Sequence, residues 1–151
     1  MSAILRMLDA NLNRAREALR VMEDAARFAL DEAGLVEEFK KLRHELRAAI
    51  DDLQLPAGVI EFNRDIAGDV GTTISTAAEM QRTDLLDVVL AAGKRLGESL
   101  RVIEETCKTI DPNVARQVES LRYRAYVLEQ KLHLRFGAGR ATQWKIGRAH
   151  V

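Results

Sequence analysis

The sequence predicts an all-α protein: a helical bundle of two duplicated helical hairpins, four main helices plus a short one, joined by a long loop. Three observations carry that expectation. Apolar residues recur at alternating steps of three and four along most of the chain. One charged motif occurs twice, beginning at Arg14 and again at Arg95. Helix-breaking residues concentrate in a single stretch, residues 54–75. With 151 residues, 47% hydrophobic and 30% charged, the chain is long enough for one core and too apolar to be disordered.

Each element follows in order. Leu5, Leu8, Leu12, Ala15, Leu19, Met22, Ala26 and Ala29 form the seam of a long first helix, and Gly34 is its expected end. A second helix, about Val36 to Leu53, places Phe39, Leu42, Leu46, Ala49 and Leu53 on one face, so the two should form a hairpin. Periodicity then stops from Gln54 to Ser75, where Pro56, Gly58, Gly68 and Gly71 accumulate. A loop of about twenty residues in a small helical domain is uncommon unless it is functional. Thr76-Ala-Ala-Glu79 reads as a capping box opening a short helix. A third long helix is expected from about Asp84 to Ile110, and Asp111-Pro112 opens the last, with Asp as N-cap and Pro at the first helical position. That helix should reach about Arg135 and end at Gly137-Ala-Gly139-Arg140.

Residues 1–137 therefore read as one helical domain and 138–151 as a tail that continues no pattern. Ile146-Gly-Arg-Ala-His-Val151 is what the frame ATC-GGA-AGA-GCA-CAC-GTC encodes, a string familiar as a sequencing adapter. The expectation is that the natural chain continues past this point, and Trp144 and His150 carry no functional weight.

Charge and cysteine content exclude several classes. Lys+Arg and Asp+Glu both number 23, so no net field draws the chain to nucleic acid or an anionic membrane; an anion site must be built locally. Cys107 is the only cysteine, which rules out an internal disulfide or a multi-cysteine zinc site and fits a reducing cytoplasm. The longest apolar stretch, Leu85 to Ala92, is interrupted by Asp87 and falls far short of the ~20 residues a membrane span needs. Acidic residues among the first arginines are unlike a targeting peptide.

The repeat aligns Arg14-x-x-Glu17-Ala-Leu19-Arg20-Val21-Met22-Glu23-Asp24 with Arg95-x-x-Glu98-Ser-Leu100-Arg101-Val102-Ile103-Glu104-Glu105. A weaker match pairs Leu42-Arg43-His44 with Leu121-Arg122-Tyr123. Asn13, Glu17, Arg20, Asp24 and Arg27 lie along one face of their helix, and Lys94, Glu98, Arg101, Glu105 and Lys108 follow the same steps. Alternating charges of this kind are commonly a solvated face whose pairs are worth tenths of a kcal/mol. Duplication at the same phase favours a second interpretation with equal weight, in which two faces meet across a pseudo-twofold and line one cleft with arginines held by carboxylates. The planar guanidinium fork matches phosphate oxygens.

The loop adds Arg64-Asp65-Ile-Ala-Gly68-Asp69-Val-Gly71-Thr72-Thr73. Arg64 could meet phosphate, and Asp65 and Asp69 could hold Mg²⁺ as oxygen ligands, although an Asp/Gly segment is also ordinary turn chemistry. There is no P-loop, no dinucleotide fingerprint, no His-Glu-x-x-His and no Gly-x-Ser-x-Gly. His44 and His133 read as surface or packing residues, Cys107 as packing, and Tyr123 and Tyr126 as packing before ligand stacking.

Taken together, Asn11-Leu-Asn13-Arg14-Ala-x-Glu17-Ala-Leu-Arg20-Val-x-Glu23-Asp24-x-x-Arg27, the loop Arg64-Asp65-x-x-x-Asp69-Val-Gly71-Thr72, Lys94-Arg95-x-x-Glu98-x-Leu-Arg101-Val-x-Glu104-Glu105 and Leu121-Arg-Tyr-Arg124 resemble one helical domain. It is the domain found N-terminal to thiamine phosphate synthase in some bacteria, described as a monofunctional hydroxymethylpyrimidine phosphate kinase. The likeness runs from about residue 4 to 136 in the same order. It implies ATP-dependent phosphorylation of 4-amino-5-hydroxymethyl-2-methylpyrimidine phosphate to its diphosphate, with Mg²⁺, and a synthase barrel fused downstream. From chemistry and position, Arg64, Arg101, Glu17 and Glu98 are the catalytic candidates. Asn13, Arg14, Arg20, Lys94, Arg95 and Arg122 are the substrate- and phosphate-binding candidates, and Asp65 and Asp69 the metal ligands. The rival expectations are a non-catalytic docking or dimerisation module for a synthase, and a sensor that binds the phosphorylated pyrimidine without turnover. A homodimer is a further expectation, with the cleft either within one chain or between two.

Overall fold

The computed structural model describes residues 1–76 and 80–149, from 139 onward as backbone alone. Among the described residues there is no strand, and the all-α expectation holds. The helices are α1 (Ser2–Asp24), continued by a π-helical turn (Ala25–Ala29), α2 (Ala33–Asp51), the single turn α3 (Val59–Phe62), α4 (Leu85–Cys107) and α5 (Pro112–Ala149). α1 packs along α4, α4 along α5, α5 along α2, and α2 more lightly on α1, closing a ring of four. The two helices that carry the repeated motif are therefore neighbours.

The seam positions face inward as the periodicity requires. Leu8, Leu19 and Met22 of α1, Phe39 and Leu42 of α2, Leu96, Leu100 and Ile103 of α4, and Leu132 of α5 are all buried to within 1% of full enclosure. Each such side chain contributes roughly 1.5–3 kcal/mol relative to exposure, so tertiary burial rather than intrinsic propensity holds the helices. Cys107 is fully buried in the same core, and desolvation, followed by the nearby Asp111 carboxylate, pushes its thiol up to about 11.

Three boundaries differ from expectation. The first helix does not end at Gly34, which lies inside α2. It loosens into the π-helical turn, and the chain reverses at Asp31, whose φ of 52° is left-handed. The Glu32 amide donates back to the Ala26 carbonyl at 3.0 Å, closing the helix end without glycine, since Asp tolerates this conformation. The described short helix is α3, inside the segment expected to be irregular; Gly58 at φ 77° turns the chain and Ile60 packs against the core. The capping box proposed for Thr76–Glu79 falls on residues 77–79, outside the described residues. α5 does not stop at Gly137 but continues to Ala149, because a helical glycine costs only ~1 kcal/mol relative to Ala and does not forbid the helix. By contrast, the starts of α4 and α5 lie where expected. Asp84 Oδ1 accepts the Asp87 amide at 2.8 Å, and Asp111 Oδ1 accepts the Asn113 amide at 2.9 Å.

Each half of the repeat carries a buried glutamate facing an arginine of the following long helix. Arg122 Nε on α5 donates to Glu104 Oε1 on α4 at 2.9 Å, with both side chains more than nine-tenths buried. At the matching positions Arg43 on α2 approaches Glu23 on α1 at 3.5 Å. The two copies differ in closeness. On α4, a Cβ added to Gly93 would fall 2.6 Å from the Glu129 carboxyl carbon, and one on Gly97 would fall 3.0 Å from the Tyr126 ring. These two glycines let α5 close onto α4. Their counterparts on α1 are Leu12 and Arg16, whose bulk keeps the first hairpin more open.

Candidate functional site

The predicted loop folds back onto the first half of α1 and borders an open hollow of about 600 Å³. Its anchor is Asp9, buried on α1, which accepts two hydrogen bonds from Arg64: Nε to Oδ2 at 2.8 Å and Nη2 to Oδ1 at 2.6 Å. This fork geometry matches two carboxylate oxygens at once. Hydrogen bonding and the charge of Asp9 raise the Arg64 pKa above its ordinary value. Around the pair stand Asn11, Asn13 and Arg14 of α1, Asp65 and Asp69 of the loop, and Val102 of α4. Asn11 donates to the Met7 carbonyl at 2.8 Å and accepts from Arg14 Nη1 at 3.3 Å, so its amide orients that arginine.

The two loop aspartates each have one oxygen engaged. Asp65 Oδ1 accepts the Gly68 amide and Asp69 Oδ1 accepts the Gly71 amide, both at 2.8 Å. Their second oxygens carry no hydrogen bond among the described residues, which fits a hard cation shared with phosphate and water. No group of three His, Cys, Asp or Glu suited to enclosing a metal occurs among the described residues.

The structure brings together only some of the sequence-predicted residues. Asn13, Arg14, Arg64, Asp65 and Asp69 share the hollow. Arg101 lies in an adjoining shallow hollow, which shares Met7 and Val102 with it, and is held by Glu105 at 3.0 Å and Glu104 at 3.6 Å. The carboxylate partners of Arg101 are thus not Glu98. Glu17 and Glu98 are exposed and make no ion pair among the described residues, and Lys94 and Arg95 are exposed on α4 outside the hollow. Arg20 lines a different cavity, between α1 and α2. Arg122 faces inward onto Glu104, stacked 4.8 Å from the Tyr123 ring centroid, with its guanidinium held protonated by the Tyr126 hydroxyl and Glu104. The first turns of α1 meet the last turns of α4, as the shared Ile4, Met7, Val102 and Thr106 lining shows.

Sequence reasoning did not single out Asp9. Its signal was present, since Asp9 sits four residues after Leu5 and three before Leu12, which places a charge on the core side of an apolar seam. Such a residue requires a partner, and the partner lies 55 positions away.

A model of one known family matches residues 6–131 of the chain. The chain belongs to the ThiD2 family. Among the relatives of this ThiD2 chain is the protein named thiamine-phosphate synthase of Rhodopirellula baltica, 40% identical over 151 residues, covering 98% of this chain and 39% of the relative. That match necessarily extends into residues 138–151. The protein of the same name in Synechocystis sp. is 46% identical over 132 residues, 87% of this chain and 36% of the relative. That of Nostoc punctiforme is 42% identical over 129 residues, 85% and 35%. The ThiD2 chain thus spans less than two-fifths of the curated relatives it matches here. No solved structure matches it. No helix among its described residues is long and apolar enough to cross a membrane.

Proposed function

We propose that this ThiD2 chain acts in thiamine biosynthesis by transferring the terminal phosphoryl group of ATP to 4-amino-5-hydroxymethyl-2-methylpyrimidine phosphate. The reading is supported chiefly by the hollow at Asp9 and Arg64, which gathers two further polar contacts and two half-free carboxylates from segments far apart in sequence. Its place in a family whose relatives are named thiamine-phosphate synthase supports the pathway.

In this proposal Arg14 and Asn13 bind the acceptor phosphate, and Arg64, fixed by Asp9, spans transferred and leaving phosphates. Arg101 at the adjoining hollow, held by Glu104 and Glu105, offers its remaining guanidinium donors at the rim. Asp65 and Asp69 are the residues that would hold Mg²⁺, which supplies charge neutralisation when bound. A phosphate oxygen of the acceptor forms a new P–O bond, the bond between the terminal phosphorus and its bridging oxygen breaks, and ADP departs with that electron pair. The acceptor oxygen is already ionised, so no general base is needed. The residues bind and orient; that is most of what phosphoryl transfer asks of a protein.

Incubation of the purified chain with Mg-ATP and the pyrimidine monophosphate, followed by phosphorus NMR, tests this. The expected result is pyrimidine diphosphate and ADP in equal amounts. Absence of both, with the protein folded, refutes catalysis by this chain.

A docking role has its own support. Tyr123, Val127 and Leu134 of α5 are all more than half exposed and share one stripe, leaving an uncovered apolar face on the last helix. In this second reading the stripe seats a synthase domain, and a full-length relative with charged residues at those positions would show separated domain motions in solution scattering.

A further inference from the structure

The first hairpin holds a second cavity, of about 440 Å³, between α1, α2 and α3. Four guanidinium groups line it: Arg16 and Arg20 from α1, Arg43 and Arg47 from α2, with His44 beside them. Very little balances them. Arg20 and Arg47 make no hydrogen bond or ion pair among the described residues, and Arg16 donates only to the Leu12 carbonyl, at 3.4 Å. Arg43 has one carboxylate neighbour, Glu23 at 3.5 Å; its buried Nε and the facing Glu23 Oε2 have no hydrogen-bond partner. Asp51 and Glu61 are the acidic groups on the rim.

The second hairpin shows what the same frame does without this surplus. At the positions of Arg16, Arg20, Arg43 and Arg47 it has Gly97, Arg101, Arg122 and Tyr126. Both remaining arginines there are paired with carboxylates, and Tyr126 rests on Gly97 where the cavity would be. One copy of the duplicated unit is closed and charge-balanced; the other is propped open by Leu12 and Arg16 and left with excess positive charge. Guanidinium groups gathered in one concavity repel one another unless an anion occupies it. Leu12, Leu46 and Ile50 supply an apolar wall on one side.

We infer that this cavity is a polyphosphate-binding site, taking a chain of two or three linked phosphates along Arg16, Arg20, Arg43 and Arg47. It stands on charge and cavity shape and does not depend on the kinase reading. It is formed by different side chains from the Asp9–Arg64 hollow.

The test is calorimetric titration of the full chain with inorganic tripolyphosphate, pyrophosphate and orthophosphate, with circular dichroism to verify folding. Tripolyphosphate should bind tighter than pyrophosphate, and pyrophosphate tighter than orthophosphate, with affinity falling as salt rises. The exposed variants Arg16→Gln and Arg47→Gln should each weaken tripolyphosphate about tenfold, while Arg95→Gln leaves it unchanged. ATP binding tighter than tripolyphosphate, and weakened to the same extent by Arg16→Gln, would identify a nucleoside triphosphate whose base lies on the apolar wall; equal affinity would identify a free polyphosphate. Either ranking supports the site. No tripolyphosphate binding at millimolar concentration, or an equal loss in Arg95→Gln, overturns it. Retained binding without pyrimidine diphosphate formation refutes only the kinase reading, and turnover without tripolyphosphate binding refutes only this site.

Discussion

Replacing Arg122 by Met separates a structural role from a ligand-binding one. Glu104 is 1% exposed, and Arg122 Nε is its hydrogen-bond donor at 2.9 Å. Breaking a buried ion pair by removing one partner costs about 3–5 kcal/mol, because an uncompensated charge remains. Glu104 keeps weaker neighbours in Arg101 at 3.6 Å and Lys108 at 4.0 Å, which points to the lower end of that range. Loss of the guanidinium from the Tyr123 face, 4.8 Å away, adds about 0.5–1 kcal/mol. The total of about 3–4 kcal/mol corresponds to a melting temperature lower by on the order of 10 °C for a domain of this size. Thermal and urea melts followed by circular dichroism measure it. The double variant Glu104→Met with Arg122→Met should recover most of the loss, since no orphaned charge is left behind. Arg43→Met should cost less, about 1–2 kcal/mol, because the Arg43–Glu23 contact is longer and lacks a hydrogen bond. An Arg122→Met variant that melts like the parent yet loses pyrimidine phosphate binding would refute the structural assignment and restore Arg122 to the ligand site.

Three further outcomes follow from the same structure. Arg64→Ala should lower the melting temperature only modestly, because Arg64 is partly exposed, and should speed proteolysis within residues 63–75; unchanged cleavage would show that Asp9 does not anchor the loop. Cys107, buried with its thiol pushed up to about 11, should resist alkylation in the native protein at pH 8 and react at once in denaturant; rapid native labelling would contradict its burial. Glu129 has its pKa raised by burial, with His133 opposing. A carboxyl raised in the folded state favours folding below its unfolded pKa and loses that contribution as pH rises through the folded value. Glu129→Gln should therefore gain in melting temperature relative to the parent as pH rises from 4 to 7. A gap that is larger at pH 4 would reverse the sign and refute the assignment.

The helices were legible because helix formation is local. Three-and-four spacing places Leu8, Leu19, Met22, Phe39 and Leu42 on inward faces whatever the neighbours are, and Asp84 and Asp111 cap their helices through contacts two or three residues away. Boundaries read from glycine alone were less secure. Asp31 supplied the left-handed turn expected of Gly34, and Gly137 sits within a continuing helix. The duplication was legible too, down to the weak match between Arg43 and Arg122, but its purpose was not: both arginines approach buried glutamates.

By itself, then, the amino-acid order determined the class of fold, the number of long helices and the fact of internal repetition, all of which depend on neighbours within one or two turns. Tertiary structure decided which charged side chains meet. Asp9 and Arg64 are joined across 55 positions. The substitution of Gly93 and Gly97 for Leu12 and Arg16 closes one hairpin and leaves a cationic cavity in the other. That outcome depends on the separation between helices, which bulk at a few contact positions sets and no local pattern records.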